Sequence, residues 1–158
     1  MHDKAPANAH ARHRVRGAED PTRANMPPTI LGFVYPLDDV VAVIDGRESA
    51  ERAARSLRDA GLPEDDVELL DGPFVVEASR SLQTHSGRLQ RIEAWLSTAF
   101  SDEMAYAREY ILEAERGHYL LIVHAQRQDV VERVRGLLHA NGAHDMRHYE
   151  LLTVTDLW

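Results

Sequence analysis

The sequence predicts an α+β domain made of two βαβ units in tandem, with a helical segment set between them. Three observations lead there. Short apolar runs at 40–44 and 119–123 have the unbroken hydrophobicity of strands buried on both faces. Each run is followed by a helical pattern that stops at a glycine. The two halves also align at an offset of 81 residues: Glu51-Arg52-Ala53 falls on Glu132-Arg133-Val134, Leu57 on Leu138 and Gly61 on Gly142.

Taken in order, residues 29–35 are β-prone and stop at Pro36, as an edge strand would. Residues 40–44 form the first strand of the repeat, and Asp45-Gly46 turns the chain. Ala50, Ala53, Ala54, Leu57 and Ala60 then recur at helical spacing, with Gly61 in the place of a C-terminal cap and Pro63 preventing continuation. Residues 67–70 read as the second strand, closed by a turn at Asp71-Gly72-Pro73. The third strand covers 119–123. Asp129 is placed to cap the next helix, whose inner face is Val130, Val131, Val134, Leu137 and Leu138. Asn141-Gly142 ends that helix, and 147–154 reads as the last strand. Two βαβ units in tandem predict the ferredoxin-like βαβ-βαβ arrangement, with both repeat helices on one face of an antiparallel sheet.

The connection between the second and third strands, 81–117, is too long for a hairpin turn. Leu89, Ile92, Leu96, Ala99 and Phe100 repeat helically, and Met104, Ala107, Ile111 and Ala114 do so again after Ser101 and Asp102. It is expected to be an inserted helical hairpin that packs Trp95, Phe100, Tyr106 and Tyr110 on the sheet. The strands are apolar on both sides, and the repeat helices cover only one. The hairpin or a second subunit must cover the other, which favours a homo-oligomer, a dimer first.

At 158 residues the chain is long enough for one self-sufficient domain, 29–158. Residues 1–28 lack apolar periodicity and read as a disordered tail. The tail has five basic residues against three acidic ones, so the net charge of -8 leaves about -10 on the remaining body. An acidic body gives nucleic-acid binding no electrostatic support. The lack of cysteine removes disulfides, thiolate metal sites and cysteine nucleophiles, and fits a cytoplasmic location. No apolar run has the roughly 18–20 residues of a membrane span.

The chain contains no phosphate-binding loop, no dinucleotide fingerprint, no His-Glu-x-x-His and no Gly-x-Ser-x-Gly. No catalytic residue is assigned, and no cofactor is implied. Asp38-Asp39 and Asp65-Asp66 read as turn and cap residues. Of nine histidines, six lie in the body: His85, His118, His124, His139, His144 and His148. His144 and His148 are four apart, but on a strand that spacing spans about 13 Å, too far for one ion, so no metal site is expected. His85, Arg88 and Tyr106 are the polar candidates for a small-ligand pocket between hairpin and sheet. His124, at the end of the third strand, is a further candidate ligand contact. Trp158 is expected to pack on the body or on a partner.

The segment DGRESAERAARSLRDAGLPEDDVELL, residues 45–70, resembles the start of the bacterial general stress proteins, also called heat-induced stress proteins. There too a strand leads to a helix rich in Ala and Glu, a glycine, an acidic turn and a second strand. The segments SLQTHSGRLQRIEAWL and GHYLLIVHAQRQDVVERVRGLLHANGAHDMRHYELLTVTDL look like parts of small uncharacterised actinobacterial and chloroflexal proteins. The resemblance implies a cytosolic, stress-associated protein and supplies no catalytic residues. The function expected is a non-enzymatic, homo-oligomeric binding or regulatory module. The alternatives are a small-ligand- or metal-dependent enzyme with its site between sheet and hairpin, and an interaction subunit of a larger assembly.

Overall fold

The computed structural model describes residues 29–30, 33–34, 36–80, 88–97, 105–150 and 153–158. The expected tail, 1–28, and the start of the expected insert, His85 included, lie outside the described residues. The β-prone run before Pro36 is two short strands, β1 (Thr29–Ile30) and β2 (Phe33–Val34), which pair antiparallel with each other. It is therefore a small separate hairpin rather than an edge of the main sheet.

The first apolar run forms β3 (Asp39–Ile44), buried along its whole length. It leads into α1 (Arg47–Asp59), which buries Ala50, Ala53, Ala54 and Leu57. Gly61 then takes a φ of +95°, a left-handed conformation that suits a glycine ending a helix. A 3-10 turn at Glu64–Asp66 precedes β4 (Val67–Leu70).

At Asp71-Gly72-Pro73 the structure differs from the expected turn. A helix, α2 (Gly72–Arg80), starts there. The Asp71 carboxylate accepts the Phe74 backbone N–H at 2.8 Å, and Pro73 sits in the first turn, where no backbone donor is required. Asp-Gly-Pro is thus a helix start as much as a turn. Two further helices follow, α3 (Arg88–Ser97) and α4 (Ala105–Glu115), so the connection between β4 and β5 carries three described helices.

β5 (Tyr119–His124), α5 (Gln128–Ala140) and β6 (His144–Tyr149) complete the second half. Arg127 occupies the N-cap of α5 without a side-chain cap bond; Asp129, expected there, lies in the first turn and pairs with Arg127. The expected last strand is a hairpin, β6 and β7 (Val154–Asp156), with Arg147 opposite Asp156.

The main sheet has the order β4-β5-β3-β6-β7, and every neighbouring pair is antiparallel. Its two faces bury separate cores. Val40, Ala42 and Ile44 of β3 and Leu121 and Val123 of β5 pack under α1 and α5, against Leu57, Val131, Val134 and Leu138. Val41, Val43, Leu120 and Ile122 point the other way, against Val75, Ile92, Trp95, Leu96, Tyr110 and Ile111 of α2, α3 and α4. Each fully buried aliphatic side chain contributes roughly 1.5–3 kcal/mol. The chain's own helices therefore cover the second face, the role that a second subunit would otherwise have filled. Among the described residues no helix is long and apolar enough to cross a membrane.

Candidate functional site

Polar side chains gather at both ends of β3, and the strand register assembles both groups. At its N-terminal end Asp39 pairs with His124, so two residues 85 positions apart become neighbours. The His124 Nδ1 lies 3.1 Å from Asp39 Oδ1, and Asp39 is buried. His124 lines a pocket of about 260 Å³ with Gly61, Leu62, Asp66, Arg127 and Arg133. Two guanidiniums, an imidazole and one carboxylate line it, with Arg127 paired to Asp129 and His124 to Asp39.

Tyr106 is elsewhere, half-exposed on α4, with the Arg147 guanidinium 4.6 Å from its ring centroid. Arg88 begins α3, and His85 lies outside the described residues. The structure does not bring Tyr106 to the His124 pocket.

Among the described residues, three aromatic side chains pack together between the sheet and the helical layer. Trp95 lies 5.7 Å, ring centre to ring centre, from both Tyr110 and Tyr149. All three side chains are buried. Burial pushes the Tyr110 phenol up to about 12, although the neighbouring Arg147 works in the other direction. At the rim of this layer Glu109, Tyr110, Glu113, Asp145 and Arg147 surround a hollow of about 370 Å³.

The opposite end of β3 gathers a second group. Ile44 pairs with Tyr119 and Val43 with His144, so the next residues along the strands, Asp45 and His118, meet beside His144. His144 Nε2 lies 2.6 Å from Asp45 Oδ1, and His118 Nδ1 lies 3.6 Å from the same oxygen. His118 Nδ1 is also 2.7 Å from Glu113 Oε2 at the end of α4, and Glu113 pairs with Arg116. Asp145 Oδ2 holds the other ring nitrogen of His144 at 2.8 Å.

A bulge makes this possible. The β3–β6 register shifts between Val41 and Val43, and Asp145 adopts a φ of +47°. The hydrogen bond from His144 holds the Asp45 carboxyl below its ordinary range. Burial opposes the charging of His144, but its bonds to Asp45 and Asp145 outweigh that and raise its pKa.

The spacing that speaks against a metal site concerns His144 and His148, one pair on one strand. His148 does point elsewhere, with Nε2 3.1 Å from the Ala125 carbonyl. The imidazole that His144 meets is His118, 26 positions earlier and two strands away in the sheet. The only signal in the sequence is that His118 and His144 each stand at the start of a strand, and Asp45 at the end of one.

No protein-family model matches the chain, and no curated protein or solved structure is significantly similar to it.

Proposed function

We propose that the chain is a non-enzymatic binding and regulatory module that takes a small anionic ligand in the His124 pocket. The observation that carries this reading is the close packing of Trp95, Tyr110 and Tyr149, which occupies the middle of the layer where an interior substrate cleft would lie. Ligands then meet the protein at its sheet ends, where the His124 pocket is concave and presents the Arg127 and Arg133 guanidiniums to an anionic group. The strand order supports a ferredoxin-like reading: β4-β5-β3-β6 interleaves two βαβ units, with β7 added at the edge and α2 to α4 inserted. The resemblance of residues 45–70 to general stress proteins supports a role in a stress response. Homo-oligomerisation remains part of the proposal, supported by the exposed apolar side chains Leu112 and Trp158 rather than by a bare sheet face.

Native mass spectrometry on protein purified gently from its own cells tests the reading. The expected result is an added small-molecule mass that disappears in H124A and R133A. A chain that carries no added mass, and whose melting temperature is unmoved by a panel of anionic metabolites, overturns it.

A metal-dependent enzyme is the second reading, and one observation favours it. The cluster of His118, His144 and carboxylates borders the 370 Å³ hollow through Glu113 and Asp145. Turnover that requires an added metal ion and vanishes in H144A would select this reading over the first.

A further inference from the structure

We propose that Asp45, His118 and His144, with Glu113 beside them, form a binding site for one divalent transition-metal ion of the zinc class. The site lies at the other end of β3 from His124, six strand residues or roughly 20 Å away, and is independent of the ligand pocket.

Four points carry it. The first is convergence. One donor atom each from Asp45, His118 and His144 lies within 4.8 Å of the others, and Glu113, His144 and Asp145 form a second such group. A tetrahedral ion with ligands at about 2.0–2.1 Å needs donors some 3.3 Å apart. The separations of 2.6 and 3.6 Å from the Asp45 oxygen to the two imidazoles bracket that value. The third separation, between the two imidazoles, lies within 4.8 Å, so side-chain adjustment of about 1 Å brings the donors to tetrahedral spacing.

The second is tautomer control. Asp145 Oδ2 lies 2.8 Å from His144 Nδ1 and can keep a proton there, so that Nε2, which faces Asp45 at 2.6 Å, is the nitrogen that exchanges its proton for the ion. A carboxylate behind a ligating histidine is the usual means of orienting the ring and raising its basicity. Asp145 is therefore a positioning residue rather than a ligand, and its left-handed φ is the local cost of that placement.

The third is rigidity. Asp45, His118 and His144 stand at or next to paired positions of β3, β5 and β6, so the sheet ladder sets their spacing before any ion arrives. The fourth is donor chemistry. Three carboxylates surround two imidazoles, with Arg116 the cation paired to Glu113. Imidazole with carboxylate suits zinc, cobalt, nickel and copper, whereas calcium and magnesium favour all-oxygen shells. Asp45 is largely exposed, so the ion enters from solvent and keeps an open position.

The experiment uses the full chain, stripped by chelation and then titrated with Co²⁺ followed by Zn²⁺. Visible absorption reads the cobalt and calorimetry the zinc. One Co²⁺ per chain is expected, with ligand-field bands of a four- or five-coordinate ion that Zn²⁺ abolishes and excess Mg²⁺ or Ca²⁺ does not. D145N should weaken Zn²⁺ roughly 10- to 100-fold while keeping the cobalt spectrum. H118A and H144A should each weaken it at least as much and change the spectrum. Far-UV circular dichroism checks their folding, and D45N removes an exposed ligand without disturbing the fold. It should lower affinity at least tenfold. His139 is exposed on α5, and H139A should bind as the parent does. The H2A/H10A/H13A variant, which removes the histidines near the N-terminus, should also bind unchanged. Absence of saturable binding overturns the proposal. So does unchanged affinity in D45N and the H118A/H144A double variant, or loss of the ion in H2A/H10A/H13A.

Discussion

Asp145 shows how much one residue can decide. Its φ of +47° is a conformation that a short polar side chain tolerates better than most. The bulge that it occupies turns its carboxylate onto His144, while its carbonyl accepts the Tyr110 hydroxyl at 3.1 Å. Tyr110 titrates far above its ordinary value because burial disfavours the phenolate. A group whose pKa is raised by folding lends stability that is complete below its unfolded pKa near 10. That stability is lost as pH rises toward about 12. Y110F should therefore be less stable than the parent at pH 8 by roughly 1 kcal/mol, the worth of one hydrogen bond. The gap should close and reverse between pH 10 and 12, as read by urea midpoints; a gap that ignores pH would refute the account. Gly72 is decided by contact instead. A Cβ there would stand 2.4 Å from the Ala114 carbonyl oxygen, which is backbone and cannot swing away. G72A should cost about 1–3 kcal/mol, measured by thermal or urea unfolding.

Among the elements, the helices divide by what their small residues do. Ala50, Ala53 and Ala54 let α1 lie close on the sheet beside α5, so the first core is shallow on that side and deep at Leu57 and Leu138. Gly136 has no such duty. It is exposed in the interior of α5, and a methyl group added there would meet nothing within 4 Å. G136A should stabilise the chain by about 0.5–1 kcal/mol through lower unfolded-state entropy, raising the melting temperature. The strands β3, β4 and β5 were legible in the sequence because apolar runs bounded by turn residues admit few other readings, whereas 29–35 and 147–154 each read as one strand where the structure has two. The helices α1 and α5 were legible through their periodicity and their closing glycines. The helix α2 was not, since Asp-Gly-Pro serves equally as a turn and as a capped helix start, and only the Phe74 N–H reaching Asp71 distinguishes them.

For the whole molecule, β3 and β5 are shared property. Alternate residues of each serve opposite cores, so neither core can open without unpairing strands that the other depends on. The chain should unfold in one cooperative step. Leu138 of α5 is buried in one core, and Trp95 lies in the opposite one. L138A should cost about 2–5 kcal/mol. In a W158F background, which removes the exposed tryptophan, Trp95 fluorescence and far-UV circular dichroism should report the same shift. Separate shifts would show that the two layers unfold independently. Trp158, expected to pack on the body or on a partner, does not pack on the body: it is 87% exposed, with its backbone oxygen accepting from Arg135 at 2.7 Å. A terminal residue meets no periodic constraint, so nothing in its surroundings along the chain could reveal its environment.

By itself the sequence determined the α+β class, the strand–helix–strand repeat, the closing glycines and the helical cover between the halves. These follow from local periodicity and from backbone preferences that neighbours in sequence carry. Only the tertiary structure decided that the second sheet face is closed by the chain's own helices. It alone brought His124 to Asp39, and Asp45 to His118 and His144. Those pairs are 73 to 99 residues apart. Strand register joins them, and a register shift of one residue would turn every side chain to the other face.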